Sequence, residues 1–370
     1  MQSAKVPGGP TDSPSPRLPR VDFEREPGVA SRPHPIPAVP NSLVVPKRKS
    51  YSPATQMESA VLELLHKRVV FVAGKGGVGR TTFAATLALA AARSGKRVLV
   101  AEITEPTVQT YSPLARIFGQ KLFKDRAHSI APGIDGVMLE PRRGMEIFLR
   151  NVFKSRSLVA LALRSKALRR FVQAAPSLHE LGVFQHLLQL VGRVDEEGKP
   201  FYDFTVLDMP ATGHALALTG LPGIILRLIP GGPIADALHS GQAIFNNPEL
   251  TAGVIVALPE TLPVSEALEL LEGMLRTHVP VSTVVVNRLP AVHFSAEELA
   301  ALRELPSGDD VMGMRGVEKI CQAKACIQRL HDMTDLPIRT LKETMETGWD
   351  LVETLADDVL DKERHAGGTS

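Results

Sequence analysis

Apolar residues fall in short unbroken runs, separated by longer stretches in which they recur at helical spacing. RVVFVAG (68–74) and KRVLVAEI (96–103) are the first two runs, followed by GVMLE (136–140), FTVLDMP (204–210), GVIVALPE (253–260) and STVVVNRLP (282–290). Strands buried on both faces read as continuous apolar runs, so the pattern predicts a mostly parallel sheet. Between the first two runs, RTTFAATLALAAARSG (80–95) reads as an alanine-rich helix, with Gly95 placed for a left-handed cap. Strand, loop, helix and parallel strand make one right-handed crossover unit. The expected fold is α/β, a mostly parallel central sheet flanked by helices.

Met57, Ala60, Val61, Leu64 and Leu65 predict a short amphipathic helix ahead of the first strand. About sixty residues separate the third and fourth runs, more than one crossover helix needs. RGMEIFLRNVF, SLVALALRSKALRRFV and LHELGVFQHLLQLV each read as helix, and 142–195 is taken as a helical insertion. DLPIRTLKETMETGWDLVETLADDVL (335–360) predicts a last short strand and a closing helix. Residues 1–50 hold 11 of the 29 prolines and little apolar periodicity, too little to offset the entropy of ordering them. The expected organisation is a disordered proline-rich arm at 1–52, one domain at 53–360 and a disordered tail at 361–370.

Charge refines this picture. The net charge is +2, but the first 50 residues carry 8 Lys/Arg against 4 Asp/Glu, leaving 34 against 36 beyond them. A near-neutral body argues against a nucleic-acid groove. PKRK (46–49) reads as a solvated basic stretch, with contact to an acidic partner or lipid head groups as the alternative. Two cysteines make no disulfide framework and point to a reducing compartment, so cytoplasmic residence is expected. The N-terminus has no continuous apolar stretch of the secretory kind, and no run reaches the roughly 18 apolar residues of a membrane span.

Chemistry concentrates in GKGGVGRTT (74–82). Gly74, Gly76, Gly77 and Gly79 let the backbone turn tightly and aim successive N–H groups inward as an anion-binding nest, with Val78 between them. The helix that starts at Arg80 adds its partial positive charge. Thr81 is placed to ligate Mg²⁺ and Thr82 to reach an α-phosphate. The usual phosphate loop ends in Lys-Ser/Thr; here Arg80 holds the lysine position, and an additional lysine, Lys75, stands near the start.

KGGVGRTT resembles the deviant Walker A loop of the P-loop NTPase family that includes MinD, ParA, the nitrogenase iron protein and the ArsA-type ATPases. The resemblance implies ATP and Mg²⁺ as ligands and a nucleotide-sandwich dimer, in which Lys75 reaches the partner's phosphates while position 80 contacts the β- and γ-phosphates in its own subunit. Arg80 keeps the charge, but its planar fork is not equivalent to an ammonium. A misfit of about 1 Å can cost roughly 10²-fold in rate, so binding is expected to survive and turnover to be slowed.

LDMPATGHALALTGLP (207–222) is similar to the D-T-A-P-T-G-H segment of ArsA-type ATPases, which include arsenite-pump ATPases and tail-anchored-protein targeting factors. Asp208, Thr212, Gly213, His214, Leu216, Leu221 and Pro222 match, whereas Met209, Pro210 and Ala211 do not. The resemblance gives Asp208 a water-mediated hold on Mg²⁺. It gives Glu105, in EITEPT (102–107), the place of the carboxylate that orients the attacking water, and Asn287 that of the adenine-pairing asparagine. A strand-tying role for Asn287 and a helix-start role for Glu105 remain open. VALPETLPVSEALELLEGM (256–274) resembles a further family segment, but no catalytic role is carried onto Glu260.

Cys321 and Cys326 lie outside the insertion and five residues apart, so neither an arsenite site nor an intersubunit zinc site is expected. SLVALAL and LGVFQHLLQLV suit either a groove for a hydrophobic-helix client or packing on the sheet. Three functional readings result. The leading one is an ATP-hydrolysing dimeric switch, as a homodimer or a heterodimer with a related ATPase. The second is a hydrolysis-deficient nucleotide-gated binding protein, or the weaker half of a heterodimer. The third is a ParA/MinD-like positioning factor, against which stand the near-neutral body and the lack of an amphipathic membrane helix at the C-terminus.

Overall fold

A computed structural model describes residues 61, 63–103, 112–152, 176–210, 220, 222–227, 231–291, 294–303 and 313–367, all within the compact unit Tyr51–Ser370. Apolar runs become strands and the spaced stretches become helices, in the order β1 (Val69–Gly74), α1 (Arg80–Arg93), β2 (Val98–Ile103), α2 (Pro113–Ile117), β3 (His128–Ala131), β4 (Ile134–Leu139), α3 (Pro141–Val152) and α4 (Pro176–Val191). β5 (Phe204–Asp208), α5 (Pro233–Phe245), β6 (Thr251–Ala257), α6 (Thr261–Arg276), β7 (Val281–Leu289), α7 (Ala296–Arg303), α8 (Met314–Met333), β8 (Ile338–Lys342) and α9 (Gly348–Gly367) complete it.

Among the described residues the eight strands form one sheet, ordered β3-β4-β2-β5-β1-β6-β7-β8, parallel except where β3 runs against β4. This is the α/β P-loop NTPase architecture that the sequence pattern predicts. β1 lies between β5 and β6 with every residue buried, so the strand feeding the glycine loop is held from both sides.

One apolar layer covers each sheet face. α1 packs on one face through Phe83, Ala84, Leu87 and Ala88, and α9 covers α1 with Val352, Ala356 and Val359. Arg93 of α1 bonds Asp357 at 2.5 Å and Glu353 at 2.8 Å. On the other face α4 and α6 meet Phe71, Leu207 and Ile255. The apolar residues Leu181, Val183, Phe184, Leu187 and Val191 of α4 are therefore core residues, which settles for packing on the sheet the part of the insertion that lies in α4. SLVALAL falls outside the described residues.

α3 and α4 cross with almost no separation: a Cβ on Gly144 would stand 1.6 Å from the Gly182 carbonyl oxygen, and one on Gly182 would stand 2.2 Å from that of Pro141. His186 of α4 closes the crossing by accepting from the Glu140 N–H through Nδ1 at 3.2 Å. Burial, reinforced by the Arg143 charge, pushes its pKa down to about 4, so the neutral ring serves as acceptor.

Two features depart from the sequence pattern. β3 is absent from it because HSIA is four residues long and only partly buried, and so leaves no apolar run. α9 continues to Gly367, beyond the apolar periodicity that ends at Leu360. Its last turns, DKERHAG, are built mainly of good helix formers, which extend a helix already nucleated by packing.

Candidate functional site

The site lies at the carboxyl ends of the parallel strands, where open α/β sheets bind ligands. β1 ends on Gly74, whose φ of 155° and close approach to Val256 exclude a side chain: a Cβ would stand 2.4 Å from the Val256 oxygen. Gly77 and Gly79 have φ of 80° and 96°, left-handed values that glycine adopts without cost. Gly76 and Gly77 are exposed, while Val78 is buried and fixes the loop to the core. α1 starts on Gly79 with no side chain capping it, so its first N–H groups have no side-chain partner at the cap.

Asn287, near the end of β7, seals the loop from the side. Its Nδ2 donates to the Val78 carbonyl at 2.9 Å and its Oδ1 accepts from the Arg288 N–H at 2.9 Å. A Cβ on Gly79 would stand 2.2 Å from that Nδ2. The arrangement gives Asn287 the strand-tying role that the sequence leaves open, and its amide retains one further donor and a lone pair.

Thr81 and Asp208 meet beneath the loop. Thr81 Oγ1 donates to Asp208 Oδ2 at 2.7 Å, while Asp208 Oδ1 is buried with no partner among the described residues. Burial raises the Asp208 pKa to about 6, against the pull of the Thr81 hydroxyl and the Arg80 charge. A hydroxyl and a carboxylate joined in this way, with one carboxylate oxygen unsatisfied, are the hard-oxygen donor set that Mg²⁺ prefers. The residues present fit that ion. Thr82 is half-buried, and its carbonyl accepts from Thr86.

The two cations of the loop have separate partners. Lys75 Nζ pairs with Glu266 Oε1 of α6 at 3.0 Å, both side chains partly exposed. Arg80 donates through Nη1 to the carbonyl oxygen of Met209, the residue after Asp208. Glu266 drew no attention in the sequence, where it reads as one charge on an amphipathic helix; its place six residues past the Glu of the PE in ALPETLPVSE is the only signal.

Glu102 is a further site-adjacent residue that sequence reasoning missed. It stands opposite Asp208 in the β2–β5 register and is buried. Its carboxylate accepts from the Ser112 hydroxyl and, at 3.4 Å, from the Leu114 N–H. Burial raises its pKa to about 7, assisted by the Asp208 charge and opposed by the Ser112 hydroxyl. An acidic residue inside an otherwise apolar run, VLVAEI, was the available signal.

The folded-state value of Glu102 lies above the ordinary 4.5, so its contribution to stability is complete below about 4.5 and is lost as pH rises to about 7. Glu102→Gln should therefore melt close to the wild type at pH 4.5 and above it at pH 8, by up to about 3 kcal/mol at 1.36 kcal/mol per unit. Paired melting curves across that range check this, and a gap that does not change with pH would refute it.

Glu105 and the residues Thr212, Gly213 and His214 lie outside the described residues. Among the described residues, no three His, Cys, Asp or Glu side chains cluster as a metal site, and no helix is long and apolar enough to cross a membrane. Cys321 and Cys326 both lie on α8, the second buried.

Comparison with known proteins agrees with this geometry. Residues 67–230 match the family model described as anion-transporting ATPase. ATPase BagA of Mycobacterium tuberculosis is 28% identical over 243 residues, covering 64% of this chain and 69% of that protein. ATPase GET3 of Komagataella phaffii is 26% identical over 257 residues, covering 60% and 72%, and ATPase GET3 of Lachancea thermotolerans is 25% identical over 261 residues, covering 60% and 71%. Glycine loop and threonine–aspartate pair both lie within the matched stretch, and the chain is similar there to the anion-transporting ATPases of the ArsA type.

Proposed function

We propose that this chain is an Mg-ATP-dependent switch in which nucleotide binding, followed by slow hydrolysis, assembles and releases a dimer. The observation that carries the reading is the Thr81–Asp208 pair, with its unsatisfied oxygen, beneath a left-handed glycine loop and an uncapped helix start. The loop N–H groups, Gly74 to Thr82, hold the phosphates, and Thr81 with Asp208, the latter through water, holds the metal. Bound there, Mg²⁺ would offset the charge of the β- and γ-phosphate oxygens. Glu105 orients the attacking water and Asn287 faces the adenine side of the loop.

Lys75 is the residue assigned to the partner's nucleotide. Its pair with Glu266 is partly exposed on both sides, and ion pairs of this kind contribute only about 0–1 kcal/mol, so Lys75 exchanges partners at little cost. The dimer is a homodimer or pairs this chain with a related ATPase, and a protein partner or a hydrophobic helix is the further ligand of the switch.

A second reading, nucleotide-gated binding with little or no hydrolysis, is favoured by one observation: Arg80 has its guanidinium on the Met209 carbonyl. Steady-state ATP hydrolysis with Mg²⁺, natural protein against Arg80→Lys, separates the two. Measurable turnover by the natural protein, slower than that of Arg80→Lys but not abolished, is expected for a working switch. A natural protein that binds ATP but is silent beside an active Arg80→Lys variant would establish the second reading, and absence of ATP binding in both proteins would overturn both readings.

A further inference from the structure

Arg80 stands where phosphate loops carry lysine, and its contacts give the difference a purpose. The stem of Arg80 lies across the start of the loop, where its Cδ would be 3.2 Å from a Cβ on Gly74. From there Nη1 reaches the carbonyl of Met209. Met209 is itself buried, and its N–H donates to Val72 of β1 at 3.0 Å, so the peptide after Asp208 is held by β1 on one side and by Arg80 on the other. Among the described residues Met209 is Arg80's one hydrogen-bond acceptor.

A guanidinium carries five N–H groups on a rigid plane, with its terminal nitrogens at separate ends of a fork. Such a group can hold a protein carbonyl with one nitrogen and a phosphate oxygen with another. An ammonium gathers its donors on one atom and is too compact to span two acceptors in the same way.

We propose that Arg80 is a two-ended positioning residue, which links phosphate in the glycine loop to the Met209 peptide and so to the chain leaving β5 behind Asp208. The proposal deepens the phosphate-site reading and rests on it. Phosphate arriving at the loop draws on the guanidinium that holds Met209, and the Met209 peptide shifts with it. A lysine at position 80 would bind the same phosphate and leave Met209 unlinked. The arginine thereby exchanges some catalytic fit for communication between the loop and the end of β5.

The buried methyl group of Met209 serves as the reporter. Full-length protein labelled with ¹³C in its methionine methyls, with Met209→Leu assigning the signal, is titrated with ADP in EDTA so that no metal acts on Asp208. Calorimetry on the same samples measures ADP binding. In the natural protein the Met209 resonance should move in proportion to ADP bound. In Arg80→Lys, ADP should bind within about tenfold, or 1.4 kcal/mol, of the natural affinity while the Met209 response is lost.

ADP binding with Met209 unmoved in the natural protein, or an equal response in Arg80→Lys, would overturn the coupling and leave the phosphate site standing. No ADP binding to the natural protein would overturn both.

Discussion

Asp208→Asn is expected to reduce ATP hydrolysis by roughly a hundredfold or more, the scale seen when one preorganised charge-stabilising group is removed from an active site. The folded protein should lose nothing in exchange. Asparagine can still accept from the Thr81 hydroxyl, which now bonds Asp208 Oδ2 at 2.7 Å. It also removes a carboxylate whose pKa burial raises to about 6 from an ordinary 3.8. Being raised, that group's contribution is present below about 3.8 and gone above about 6, so near pH 8 the buried charge is a cost. About two units at 1.36 kcal/mol each set its upper bound near 3 kcal/mol, against roughly 1–3 kcal/mol for a buried amide donor without a partner. Melting at pH 8 should therefore be equal to or above the wild type while steady-state turnover collapses. Undiminished hydrolysis would remove Asp208 from the chemistry, and a large drop in stability would make its role structural.

Gly144→Ala carries the largest expected loss of stability. Alanine is intrinsically better in a helix than glycine by about 1 kcal/mol. At this crossing the new methyl would stand 1.6 Å from the Gly182 carbonyl oxygen, an overlap that only parting α3 from α4 relieves. Parting them loosens His186 from Glu140 and uncovers Phe148, Phe184 and Leu187. Overpacking of this kind typically costs about 1–3 kcal/mol and more where backbone must move, so a net loss of about 3 kcal/mol is expected in denaturant titration. Gly316→Ala in α8, where a Cβ would meet nothing within 4 Å, is the matched control and should be neutral or stabilising. Equal behaviour of the two variants would show that the crossing tolerates a side chain.

Much of the architecture was readable because its strands are buried on both faces. β1, β2, β5, β6 and β7 appear as unbroken apolar runs, and the glycine loop between β1 and α1 carries its own spacing. β3 was not, since a four-residue antiparallel edge strand with no buried residue lacks that signal. Gly144 and Gly182 were visible as glycines inside helical patterns, the usual mark of close packing, but which glycine met which backbone depended on a tertiary crossing. Thr81 and Asp208 were identifiable by residue type. The partners of Arg80 and Lys75 were not: one is a main-chain carbonyl, which no side chain announces, and the other is a single glutamate among several on α6.

The seating of α9 on α1 has a consequence for biosynthesis. α1, the helix that carries Arg80, Thr81 and Thr82, is covered by Val352, Ala356 and Val359 and bonded through Arg93 to Glu353 and Asp357. β1 likewise depends on β5 and β6, made more than a hundred residues later. A ribosome emits the glycine loop before its supporting strands and helix, at about 5–20 residues per second. The nascent chain therefore completes the support of its glycine loop only once α9 has emerged, so shorter nascent chains carry the loop sequence without its packed setting.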